Sequence, residues 1–129
     1  MDYLALLGRI LYSAIFIMAA MGHFSHGTIA YAANQGVPVP FLLVPLSGLM
    51  ALIGGLSILI GYKARLGAWL IVLFLIPVTL MMHAFWSLSD PAMAEIQKIM
   101  FMKNLSMLGA ALLIAYFGSG PLSLDNKNG

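Results

Sequence analysis

Residues 41–60 read FLLVPLSGLMALIGGLSILI, a run of 20 positions without a charged side chain. At a rise of about 1.5 Å per residue, a helix of this length crosses the roughly 30 Å hydrocarbon core of a bilayer. Three more apolar runs accompany it: residues 4–24, interrupted by Arg9, then 66–85 and 99–117. In lipid the backbone must satisfy its own polar groups, which leaves helices or closed barrels. None of these runs shows the alternation of a barrel strand. The expected fold is therefore all-α: an integral membrane four-helix bundle, one domain over residues 1–129, with spans at about 4–24, 41–60, 66–85 and 99–117.

Composition supports the same reading. Only 8% of the side chains are charged and 62% are hydrophobic, whereas a soluble domain carries about 25% charged residues. Six Lys and Arg against four Asp and Glu leave a net charge of +2, too sparse for a nucleic-acid surface. The absence of cysteine excludes disulfides, thiol relays, Cys-ligated zinc and iron–sulfur clusters. Any redox role must then run through a bound cofactor or substrate. The first run does not read as a cleaved signal peptide, because Asp2 is its only charge before Arg9 and no small-x-small site follows.

The connections are short. Segment 25–39 predicts a short interfacial helix between the first two spans, capped by Ser25 or Thr28 and stopped by Gly36 and Pro38. Residues 61–65, GYKAR, form a tight basic turn, and 87–98 a polar loop in which Asp90-Pro91 ends one helix and starts the next. The tail 118–129 is expected to be non-helical. Four spans put both termini and the basic turn on one side, with Arg9, Lys63, Arg65 and Lys127. The other side holds Lys98 and Lys103, partly offset by Asp90 and Glu95. The positive-inside rule then places the termini in the cytoplasm. Ser47, Ala51 and Gly55 form a small-residue stripe on the second span, and Ser106–Ala110 and Ala111–Ala115 repeat the spacing on the fourth. Pro77 is expected to bend the third span near Leu73.

Intramembrane polar groups carry the functional reading. Arg9, Ser13, Phe16, Ala20 and His23 share one face of the first span. His23, His83 and Lys103 with Asn104 fall at similar depth near the exoplasmic interface. Thr79, His83 and Trp86 share one helix face, and Gln97 and Asn104 another. Such a cluster suits a quinone headgroup: His83, His23 and Lys103 exchange protons, Lys103 and Asn104 donate to carbonyl oxygens, Trp86 stacks on the ring and Tyr31 covers it. Arg9 lies on the opposite side, either snorkelling to phospholipid or paired with Asp2 or Asp125. Each residue taken alone reads as an ordinary interface anchor. Haem between His23 and His83 is disfavoured because both sit at helix ends. The methionines are scattered as packing filler, and no carboxylate stands in metal-ligand spacing with the histidines. No phosphate loop, dinucleotide fingerprint or hydrolase elbow is present.

Several stretches resemble the DoxX family of small four-helix membrane proteins over nearly the whole chain. They are Leu7–Phe16 (LGRILYSAIF), Gly36–Pro40 (GVPVP), Gly54–Arg65 (GGLSILIGYKAR), His83–Trp86 (HAFW), Lys103–Leu105 (KNL) and Gly118–Asp125 (GSGPLSLD). Many members carry Glu at the position of Ala51 and Lys at that of His23. The resemblance implies a bundle in the cytoplasmic membrane and a quinone-linked redox role. The expectation is thus a membrane component of a quinone-linked oxidoreductase without its own redox centre, served by a soluble redox partner. The competing expectation is a non-catalytic scaffold or accessory subunit that recruits soluble redox or stress-response partners. Membrane lipid is the expected surrounding in either case, and homo-oligomers are compatible with both.

Overall fold

The computed structural model describes residues 2–125. It contains α1 (Asp2–Gly22), α2 (His26–Asn34), α3 (Pro40–Ile60), α4 (Ala64–Met82) and α5 (Pro91–Phe117), with a 3-10 turn at Phe85–Ser87. No strand occurs among the described residues, and α1, α3, α4 and α5 are long and apolar enough to span a membrane. The all-α membrane bundle with a short helix after the first span is thus the observed architecture. Lys127, counted in the charge balance above, lies outside the described residues.

Two boundaries differ from expectation. The fourth spanning helix begins at Pro91 rather than Ile99, because Asp90 caps it: the carboxylate accepts from the Ala92 N–H at 3.1 Å and Pro91 occupies the first turn. Polar Glu95, Gln97 and Lys98 therefore extend a helix instead of forming a loop. The third spanning helix starts at Ala64 and ends at Met82, with His83 as its C-cap. Pro77 sits inside this continuous helix.

The central element is α3, which packs against α1 on one side and α4 on the other, while α4 also carries α5. Tyr12 joins the two outer helices, its hydroxyl donating to the Met107 carbonyl at 2.5 Å. Lipid gives no hydrophobic push between helices, so close backbone approach and dispersion must hold them. Glycine supplies that approach. A Cβ on Gly54 would lie 2.9 Å from the Gly67 carbonyl of α4, and one on Gly67 2.5 Å from Ser57 Cβ. Across the other interface, a Cβ on Gly55 would press on Ile17 and Phe16 of α1. The expected stripe is real at Ala51 and Gly55, both buried, while Gly48 and Gly54 extend it to two faces. On α5 only Ala111 of the expected small residues is buried.

The predicted face of α1 is its packed face: Arg9, Ser13, Phe16 and Ala20 are its buried residues. Phe16 lies between Tyr12 (ring centroids 5.1 Å) and the edge of Phe74 (6.4 Å). Between α4 and α5, buried Asn104 donates from Nδ2 to Thr79 Oγ1 at 3.1 Å.

At the terminal end the tail folds back over the α3–α4 turn. Arg9 donates to the Leu59 carbonyl at 3.2 Å, one of the helix-end carbonyls left without an intrahelical partner, and to Pro121 O at 3.2 Å and Leu122 O. Its cation therefore sits at the negative end of α3. Of the partners considered above, Asp125 favours the cation through its nearby charge, while the direct hydrogen bonds come from carbonyls. Asp125 instead caps α4, accepting from Lys63 N–H at 2.7 Å and Ala64 N–H at 2.9 Å. Gly61 makes this closure possible, since it adopts φ 70° and any Cβ there would overlap Ser123 and the Arg9 guanidinium.

Burial opposes the Asp125 charge. The N–H groups of Ala64 and Lys63, the Ser119 hydroxyl and the Arg65 cation outweigh it and hold the carboxyl below the ordinary carboxylate range. A depressed folded value means that this contribution is complete above the unfolded aspartate value and is lost as pH falls through the folded one. Protection of the amides at residues 60–64, taken relative to intrinsic exchange at each pH, should therefore fall on acidification below about pH 4, and Asp125→Ala should show low protection at all pH values. High protection in the variant would contradict the cap.

Candidate functional site

At the end opposite the termini, α1 runs into a turn that launches α2. Ser25 caps α2, its Oγ accepting from the Thr28 N–H at 3.2 Å. After α2 the chain closes with Val37 N–H on the Ala32 carbonyl at 3.1 Å. Val39, between two prolines, then takes φ 41° and ψ 57°. A β-branched residue in that region costs on the order of 1–3 kcal/mol. The strained step turns the chain directly into α3 and leaves Val37 and Pro38 facing a cavity.

This cavity has a volume of about 340 Å³ and is bounded by His23, by α2 at Thr28 and Ala32, by the start of α3 and by the second half of α4. That size falls among small-molecule sites, roughly 300–1,000 Å³. Its walls are apolar side chains such as Val44, Met50, Phe74, Val78 and Met81. Polar atoms enter at a few places only. His23 Nδ1 lies 2.8 Å from the Ala19 carbonyl, so that nitrogen donates, and in a neutral ring Nε2 is the acceptor. The imidazole is 5.5 Å from the Phe74 ring. Gly48 accommodates it: a Cβ there would stand 2.5 Å from His23 Cβ. Ser47 returns its hydroxyl proton to the Val44 carbonyl at 2.7 Å. Pro77 has no N–H to offer the Leu73 carbonyl, and both residues line the cavity.

Of the residues expected to form the quinone site, only His23 lines this cavity; Ser47 and Pro77, noted above for packing and bending, line it as well. His83 is turned to α5, its Nδ1 2.7 Å from Gln97 Oε1. Asn104 is consumed by Thr79. Lys103 is exposed, its Nζ 3.6 Å from the Met100 sulfur. Trp86 is 58% exposed and packs edge-on against Phe85 and Phe101. Tyr31 is exposed on α2, and Arg9 belongs to the opposite end. Similar depth does not make a common pocket, because neighbours on a helix point about 100° apart. Asn104 faces α4, so Lys103 faces outward.

What the sequence reading missed is the pairing of two faces it had already found. Thr79 and His83 on one helix meet Asn104 and Gln97 on its antiparallel neighbour. Gly48 and Ala32, which shape the cavity, carry no chemical signature of their own. Among the described residues no group of three His, Cys, Asp or Glu side chains converges to hold a metal ion.

Comparison with known proteins corrects the family assignment. The SURF4 family pattern matches residues 1–129. Inner membrane protein YphA of Escherichia coli is 31% identical over 126 residues, covering 96% of this chain and 89% of that protein. Inner membrane protein YqjF of the same organism is 33% identical over 126 residues, 96% of this chain and 91% of that protein. ER-derived vesicles protein ERV29 of Saccharomyces cerevisiae is 30% identical over 78 residues, 60% of this chain but 25% of that protein. No solved structure matches. The DoxX resemblance rested on short glycine- and leucine-rich pieces, which recur wherever helices pack in lipid, and the full-length match replaces it. The expectation of a quinone-linked oxidoreductase component, drawn from the polar cluster and from that resemblance, is overturned: the cluster forms no common pocket and the family is a different one. This chain belongs to the SURF4 family.

Proposed function

We propose that the protein is an inner-membrane binding protein that takes the apolar chain of a membrane-soluble ligand into the cavity between α2, α3 and α4. The observation that carries this is the 340 Å³ space itself. In a bundle where α3 packs glycine-close against α1 and α4, a half-open space of that size forfeits dispersion contacts unless an apolar occupant supplies them. Its apolar walls suit an acyl or alkyl chain, and the surrounding helices stand in lipid, where such ligands are concentrated. The two Escherichia coli relatives, both inner membrane proteins, support an inner-membrane location.

The termini face the cytoplasm in this reading and the cavity opens toward the outer leaflet. Arg9, Lys63 and Arg65 lie at the terminal end, and the far end offsets Lys98 and Lys103 with Asp90 and Glu95. Because the chain has no cysteine, single substitutions report topology cleanly. In intact cells an impermeant maleimide should label Ser87→Cys and spare Lys63→Cys. The reverse pattern would invert the orientation.

Binding is tested with radiolabelled 1-dodecanol and protein in lipid nanodiscs. Wild type should bind saturably. Ser47→Phe, which places a ring in the cavity, should weaken binding by about tenfold or more. Leu113→Phe, on the exposed face of α5, should bind as wild type does. Absence of saturable binding to wild type, or equal binding by Ser47→Phe, would refute the reading.

A further inference from the structure

The hydrogen-bonding groups along the cavity are unequal in kind. Two of the three side-chain donors there are already committed. The His23 Nδ1 proton goes to the Ala19 carbonyl and the Ser47 hydroxyl to the Val44 carbonyl. Thr28 Oγ1 accepts from Ser25 Oγ at 2.9 Å. Pro38 and Pro77, also in the lining, have no N–H to give. The acceptors, by contrast, are left over. His23 Nε2 has no hydrogen-bond partner among the described residues, and the Leu73 carbonyl has lost its helical donor to Pro77.

From this we infer that the cavity recognises a neutral lipid bearing a free hydroxyl, such as a long-chain alcohol or an acylglycerol, with the hydroxyl donating to His23 Nε2. The inference rests on the cavity being a binding site, as proposed above. An apolar environment penalises an unmatched acceptor, and a ligand donor removes that penalty. Ligands whose polar heads only accept, including esters, ethers, carboxylates and quinone carbonyls, would place oxygen against nitrogen lone pair or carbonyl oxygen. Selectivity therefore comes from one proton on the ligand rather than from a charge on the protein. Gly48 is a positioning residue in this scheme, since the missing Cβ lets the imidazole lie against α3.

The test compares ligands that differ only in that proton. Binding of 1-dodecanol, dodecyl methyl ether and dodecanoate is measured on wild type and His23→Phe in neutral-lipid nanodiscs at pH 8. For wild type the alcohol should bind about tenfold tighter than the ether, the span expected for one hydrogen bond made in an apolar site. In His23→Phe the two should bind equally, with the ether retaining its wild-type affinity, which also shows that the variant is folded. Equal binding of alcohol and ether to wild type would overturn the hydroxyl inference while leaving the cavity reading intact. Tightest binding of dodecanoate would overturn it too, because His23 would then be acting as a cationic donor. Failure of all three to bind saturably would overturn both.

Discussion

Lipid surrounds the spanning helices but does not press them together, and that constraint governs the molecule. What replaces the hydrophobic push is contact between backbones, and contact requires missing side chains. Helix α3 provides them on two faces, Gly54 toward Gly67 of α4 and Gly55 toward Phe16 and Ile17 of α1. Because α3 touches both neighbours at once, it serves as the axis around which the other helices are placed. Its two ends are then fixed by different means. At the terminal end Gly61 turns the chain, and the tail is held there by Arg9 and capped onto α4 by Asp125. At the far end a strained Val39 and two prolines bring the chain in from α2.

The same economy explains the cavity. Gly48 continues the small-residue stripe of α3, but the side chain it admits is a histidine rather than another helix backbone. α2 lies across the opening instead of spanning, and the apolar second half of α4 supplies the far wall. The polar residues elsewhere in the membrane-embedded part are largely engaged with one another or with carbonyls: Thr79 with Asn104, His83 with Gln97, Tyr12 with Met107. They hold helices in register. The cavity is set apart from them by acceptors with nothing to accept.

Much of the fold was legible in the sequence. Four charge-poor runs announce four spans, and the spacing from Arg9 to His23 identifies the packed face of α1 because a helix repeats every 3.6 residues. The start of α5 was less legible, since Glu95, Gln97 and Lys98 look like a loop until the cap at Asp90-Pro91 is given its full weight. Of the residues expected to form the site only His23 belongs to the cavity, although Pro77, noted for its effect on the third span, also lines it. Depth can be counted along a sequence, but the direction in which Lys103 and Asn104 point depends on which neighbour α5 meets. A cavity is defined by what surrounds it, and glycine at 48 or alanine at 32 gives no advance notice. Family identity was misread for a related reason: short glycine-rich motifs report close helix packing, which many membrane families share.

The central claim is that an apolar chain lies between α2, α3 and α4. It is tested most directly by photocrosslinking with a dodecanol carrying a diazirine near its chain terminus, followed by mass spectrometric mapping of the adducts in nanodiscs. The cavity predicts adducts concentrated at Met50, Val78 and Met81, suppressed by excess unlabelled dodecanol. Adducts spread over the lipid-facing residues of α5, such as Leu112 and Leu113, with no saturable component at the cavity, would contradict it.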